Sequence, residues 1–97
     1  MTLLFNIEFD AAEGKRDELV AKLNSILHET RAFDGCEQIT FTESRVKPGS
    51  LLLVERWASD EHYDAYKQWR RESGTSVLGG DLIAGTPTTT TFTVLDG

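Results

Sequence analysis

Residues 3 to 9, LLFNIEF, alternate: Leu3, Phe5, Ile7 and Phe9 fall on one face, and Leu4, Asn6 and Glu8 on the other. A period of two predicts a strand. Asp10 to Gly14 turn the chain. From Lys15 to Arg31 the period changes. Leu19, Leu23, Ile26 and Leu27 recur at helical spacing, while Asp17, Glu18, Asn24 and Ser25 take the other sides. This predicts an amphipathic helix. Gly35 stands where a chain leaving a helix needs a residue free to adopt positive φ. Residues 36 to 45, CEQITFTESR, alternate again and are rich in β-branched and aromatic side chains. Lys47-Pro48-Gly49-Ser50 is a turn signal, and Leu51 to Ala58 make a third strand, so strands two and three form a hairpin. Ser59 suits a helix N-cap, with Asp60 and Glu61 at the positive end of the helix dipole. That helix runs to about Glu72 and ends near Gly74. Thr75 to Pro87 reads as a glycine-rich loop, and the threonine run from Thr88, with Phe92 and Val94, as a last strand.

The order β-α-β-β-α-β predicts the ferredoxin-like α+β plan: an antiparallel four-stranded sheet with both helices on one face. Strand three offers Leu51, Leu53 and Trp57 to one side and Leu52, Val54 and Ala58 to the other. A sheet covered by helices on one side and apolar on both needs a second cover. The simplest cover is an identical sheet, which predicts a homodimer through the sheet faces. At 97 residues, one domain spanning residues 1–97 is expected, with a core small enough to profit from a second copy.

Charge and composition narrow the partners. The formal charge is −6 and no basic stripe is present, which argues against nucleic acid and anionic membrane surfaces. A single cysteine, Cys36, rules out an internal disulfide and suits a reducing cytoplasm. No apolar run approaches a membrane span, and the N-terminus lacks a signal-peptide layout. His28 and His62, the only histidines, have no paired carboxylate motif and make no metal site. Gly74 and Gly79-Gly80 lack the strand-to-helix context and the lysine of a phosphate loop. They read as a flexible segment over a pocket mouth or as an ordinary turn.

The candidate chemistry is concentrated in Leu51 to Arg70, LLLVERWASDEHYDAYKQWR, which holds both tryptophans, both tyrosines and an arginine. Aromatic rings with polar tips suit a flat organic ligand. Trp57 reads as a pocket wall or as core. Tyr63, Tyr66 and Arg70 share a helix stripe, and His62, Tyr66 and Trp69 an adjoining one. Arg70 could pin a phenolate or carboxylate, or pair with Glu55 or another acidic neighbour. Asn6, polar in an apolar strand, could hold a substrate carbonyl or oxyanion, or be satisfied by nearby backbone. His62 and His28 are candidate bases because imidazole as a side chain suits acid–base work near neutral pH; each also reads as a surface or boundary residue. Cys36 reads as a small buried hydrophobe. The expected site lies between the sheet and the second helix, with Trp57 and Tyr66 in its wall and Asn6 and Arg70 as polar contacts.

Several segments carry a family resemblance. They are Glu13-Gly14-Lys15 after the first strand, Glu29-Thr30-Arg31 closing the first helix, Phe33-Asp34-Gly35-Cys36 entering strand two, and Glu55-Arg56-Trp57-Ala58-Ser59 before a short aromatic helix. In this order and spacing the chain resembles the antibiotic biosynthesis monooxygenase family of dimeric α+β barrel proteins. The resemblance implies a ferredoxin-like homodimer that oxygenates a phenolic, anthrone- or quinol-type substrate with dioxygen and without metal or flavin. In that enzyme reading Asn6, Tyr66 and Arg70 are the polar and catalytic groups, His62 or Tyr66 is the base, and Trp57, Tyr63 and Trp69 contact the substrate; the resemblance itself bears on Asn6 and Trp57. Many members carry a histidine where Lys67 stands. The haem-degrading branch resembles this chain at Asn6 and Trp57 but ligates iron through that histidine, so Lys67 argues against haem. A binding protein, isomerase or lyase on the same fold is the alternative.

Overall fold

The computed structural model describes residues 2–74 and 80–96. The elements follow in the predicted order: β1 (Leu3–Ala11), α1 (Arg16–Arg31), β2 (Cys36–Glu43), β3 (Ser50–Trp57), α2 (Asp60–Ser73) and β4 (Ile83–Thr93). The strands form one sheet in the order β2-β3-β1-β4, antiparallel at every pairing. The chain folds as the ferredoxin-like α+β plan that the sequence predicts.

Register decides which side chains share a face. Leu3 opposes Trp57, Phe5 opposes Glu55, Ile7 opposes Leu53 and Phe9 opposes Leu51. Directly opposed residues point the same way, so these eight side chains face one side. Leu19, Leu23 and Leu27 of α1 close over that side and bury Ile7, Phe9, Leu51, Leu53 and Ile39. The intervening residues Leu4, Asn6, Glu8, Leu52, Val54 and Arg56 face away from the helices. On that outer face Leu4, Leu52 and Val54 are half-buried, and Phe92 of β4 is 47% exposed.

Two boundaries differ from expectation. β2 ends at Glu43 rather than Arg45 because Ser44 Oγ accepts hydrogen bonds from the backbone N–H of Val46 (3.2 Å) and Lys47 (3.1 Å), which turns the chain. β4 begins at Ile83 rather than Thr88. Ile83 and Ala84 pair with Ala11 and Asp10, and an irregularity in register then separates them from the threonine run. Gly85, at φ +72, lies in that irregularity. Pro87 is tolerated there because an edge strand need not donate outward. Residues 75–79 of the expected loop lie outside the described residues.

Candidate functional site

Helix α2 is set in place at both ends. Ser59 Oγ accepts from His62 N–H at 3.2 Å, and Gly74 closes the helix at φ +68 with its N–H directed to the carbonyls of Arg70 and Arg71. Between these caps the helix is held to α1 by one buried side chain. The Arg70 guanidinium, 5% exposed, donates to Tyr66 Oη (2.9 Å), Thr30 Oγ1 (2.8 Å) and the Ile26 carbonyl (3.2 Å), and lies 3.6 Å from Glu29 Oε1. Tyr66 Oη and Thr30 Oγ1 are themselves 2.8 Å apart. Cationic donors near a helix C-terminus complement its dipole, and Ile26 to Thr30 lie in the last turns of α1. Arg70 is therefore an interhelical tie; it forms an ion pair with Glu29, and its charge also acts on Glu55.

A cavity of about 300 Å³ opens between sheet and helices. Its floor is Ile7, Leu53 and Glu55, and β4 adds Pro87 and Thr89. Leu23, Ile26 and Leu27 form the α1 wall, and Tyr63, Tyr66 and Arg70 the α2 wall, with the exposed Lys67 and Arg71 at the rim. This volume accommodates a small aromatic molecule, and the mixture of apolar walls with few polar groups is typical of a ligand pocket.

The carboxylate in the floor is the unusual feature. Glu55 is 3% exposed and flanked on its own face by Phe5 and Ile39. Among the described residues its hydrogen bond comes from the Trp57 indole, Nε1 to Oε1 at 3.0 Å. Burial pushes the Glu55 carboxyl above its ordinary range, against the opposing pull of the Trp57 hydrogen bond and of the Arg70 charge. The neighbours feel that charge in turn. Burial and then Glu55 raise the Tyr63 hydroxyl, and burial and then Glu55 push the Cys36 thiol up to about 11. Cys36 is half-buried rather than fully buried, and a raised thiol disfavours the reactive thiolate.

The structure brings some of the predicted residues together and separates others. Tyr63, Tyr66 and Arg70 line the cavity. Tyr63 stacks on Phe5 with ring centroids 4.0 Å apart, and Lys67 Nζ lies 5.3 Å above its ring. Trp57 is fully buried behind this wall, 5.0 Å from the Tyr66 ring and 5.5 Å from the Tyr63 ring. It acts on the cavity through Glu55 and the tyrosines. Trp69 packs on Phe33 at 5.5 Å and under the Arg70 guanidinium at 4.8 Å, outside the cavity lining.

His62 also lies elsewhere. Its Nδ1 is 2.7 Å from Ser59 Oγ, its Nε2 is 3.6 Å from Asp34, and its ring crowds Gly35, where an added Cβ would come within 2.2 Å. It is part of the helix start and the adjoining turn. Asn6 sits on the outer face of the sheet, between Val54 and Thr90, on the side opposite Glu55 and Trp57. The expectation that it shares a cavity with Arg70 is corrected by the register. His28 is exposed on α1. Among the described residues no group of His, Cys, Asp and Glu could hold a metal ion, and no helix is long and apolar enough to cross a membrane.

Glu55 is the residue that sequence reasoning missed. The signal was present: alternation along Leu51, Leu53, Glu55 and Trp57 puts a carboxylate on the buried face of a strand, where an unpaired charge is costly.

The comparisons agree with this architecture. The profile described as antibiotic biosynthesis monooxygenase matches residues 2–71. Rv0793 from Mycobacterium tuberculosis has a similar structure, with a TM-score of 0.77 and 26% identity over 100% of this chain and 98% of that one. A protein from Shewanella oneidensis superimposes at 0.77 with 22% identity, covering 94% of this chain and 88% of its own. A candidate antibiotic biosynthesis monooxygenase from Nitrosomonas europaea reaches 0.80 at 13% identity, covering 98% and 91%. No protein among those with curated functions matches. With the profile spanning most of the chain and the fold shared end to end, the protein belongs to the antibiotic biosynthesis monooxygenase family.

Proposed function

We propose that the protein is a cofactor-independent monooxygenase that oxidises a phenolic, anthrone- or quinol-type aromatic substrate with dioxygen. The observation that carries this reading is the cavity itself, an apolar space walled by Tyr63 and Tyr66 with a carboxylate in its floor and a guanidinium in its wall. Such a substrate is its own reductant. Once deprotonated, an electron-rich ring passes an electron to dioxygen, and the protein need supply only a dry pocket, a base and positive charge near the developing oxyanion. The Arg70 guanidinium and the Tyr66 hydroxyl in the cavity wall support this reading as a positive charge and a neutral hydrogen-bond donor.

The working unit in this reading is a homodimer joined through the outer sheet faces. Leu4, Leu52, Val54 and Phe92 give that face its apolar surface. Asn6 Oδ1 is buried there with no hydrogen-bond partner among the described residues. A buried acceptor without a donor costs about 1–3 kcal/mol, and a second copy could supply the donor.

The test is oxygen uptake by the purified protein with dithranol (a dihydroxyanthrone) and with a substituted hydroquinone. Protein-dependent uptake, with the atom inserted into product coming from isotopically heavy dioxygen, is the expected result. Binding of both compounds without oxygen consumption would instead favour a carrier or a non-oxidative enzyme.

A further inference from the structure

We propose that Glu55 is the catalytic base of the cavity and takes a proton from the acidic carbon or hydroxyl of the bound aromatic substrate. The inference deepens the oxygenase reading and rests on it for the identity of the cavity as a substrate site. Three observations carry it. The carboxylate is almost wholly buried yet lines the cavity floor. One oxygen is fixed by the Trp57 indole at 3.0 Å, which sets the direction of the carboxylate plane. The histidines sit elsewhere, His62 in the helix start and His28 exposed, so neither reaches the cavity.

The surroundings suit that role. Phe5, Ile39 and Leu53 shield Glu55 from water on the sheet, and Tyr63 and Tyr66 shield it from α2. The charged or titratable groups that face the cavity with it are Tyr63, Tyr66, Lys67, Arg70 and Arg71 from α2, with Arg70 paired to Glu29 of α1, and Cys36 from β2 lies beside it. The basic members lie on the wall and rim rather than against the carboxylate. Its elevated proton affinity follows from burial, and a base works best when its pKa lies closer to the working pH than that of an exposed carboxylate.

The step balances. The substrate C–H or O–H bond breaks, its electron pair remains on the substrate as an enolate or phenolate, and the proton goes to Glu55. For a methylene substrate, electron transfer to dioxygen and radical recombination give a hydroperoxide anion that retrieves the proton. A second deprotonation at that carbon by Glu55 forms the C=O bond, breaks the O–O bond and expels hydroxide, which takes the proton back from Glu55 as water, so that R₂CH₂ and O₂ become R₂CO and H₂O.

Proton abstraction can be read without the oxygen step. The native protein and the Glu55→Gln and Glu55→Asp variants are mixed with dithranol in heavy water under nitrogen. Exchange of the methylene hydrogens is followed by NMR, and dithranol affinity is measured by equilibrium dialysis. Removing a general base typically costs about a hundredfold to ten-thousandfold. Glu55→Gln should therefore lose at least about a hundredfold in exchange rate at unchanged affinity, whereas Glu55→Asp retains measurable exchange with a pH dependence set by a carboxyl group. Glu55→Gln exchanging as fast as the native protein would overturn the proposal, as would native protein that binds dithranol without promoting exchange. Native protein that fails to bind dithranol overturns both the cavity reading and the base assigned within it. Exchange lost in Glu55→Gln, in a protein that consumes no oxygen in air, upholds Glu55 as the base and removes the oxygenase reading alone.

Discussion

At the scale of single residues, a side chain's role depends on which face it occupies, and that follows from register. Asn6 and Glu55 illustrate the two outcomes. Alternation within β1 separates Asn6 from Phe5, and alternation within β3 groups Glu55 with Trp57. Neither pattern says whether Phe5 and Trp57 share a side. The pairing of Leu3 with Trp57 supplies that, and it comes from long-range packing. The side on which Asn6 lies is therefore not readable from β1 alone, whereas the burial of Glu55 is readable from β3 alone. Burial of Glu55 also has a measurable consequence for stability. Its carboxyl is raised in the folded state from the ordinary 4.5, so the unfolded chain gives up this proton at lower pH than the folded one. As pH rises from about 4.5 through the elevated folded value, the native protein loses stability from this group, and below 4.5 the loss vanishes. Glu55→Gln carries no such titration. Its melting temperature relative to native protein should rise across that window and then level off. A difference that stays flat from acid to neutral pH would show that Glu55 is not protonated more readily in the fold.

At the scale of elements, α2 was the most legible part of the chain. Its start at Ser59 and stop at Gly74 follow from local capping chemistry, and the tyrosine-to-arginine spacing put Tyr66 and Arg70 one turn apart, as observed. What local spacing could not reveal is that Arg70 reaches across to α1. Its bonds to Thr30 and Ile26 span forty or more positions. This makes Arg70 a structural residue first. Hydrogen bonds from a charged donor contribute about 1.5–3 kcal/mol each when both partners are buried, though Glu29 is partly solvated. Arg70→Ala should therefore lower folding stability by about 2–4 kcal/mol in chemical denaturation. An unchanged denaturation midpoint would mean that the tie between the helices contributes little. The start of β4 was illegible for a related reason. Ile83 to Pro87 carry glycine and proline, which signal a loop locally, and only pairing with Ala11 and Asp10 makes them a strand.

At the scale of the whole molecule, the fold was legible because the switch of period from two to helical and back repeats along the chain, and the hairpin between β2 and β3 is marked by a proline-glycine turn. The outer sheet face is where the assembly can be tested. Val54 lies at its centre, opposite Asn6 on one side and Thr40 on the other. A lysine there would place a charge in the proposed interface without touching the helix-covered core. Val54→Lys should sediment as a monomer under conditions where the native protein sediments as a dimer, while keeping its circular dichroism spectrum. Native protein that is already monomeric at micromolar concentration would show that another surface, or none, covers this face.

The position of Glu55 on a central strand has a consequence for adaptability. β3 is paired on both edges, so its backbone is among the least deformable parts of the molecule, whereas Lys67 and Arg71 are exposed on one helix at the cavity rim. The proposed proton acceptor and the residues at the cavity rim thus belong to different elements. On that reading, substitutions at the exposed rim positions 67 and 71 would reshape the aperture, and so exchange one aromatic ligand for another, while leaving the tyrosine wall against Glu55 in place. A lineage built on this scaffold can diversify its chemistry's clientele without reinventing the chemistry.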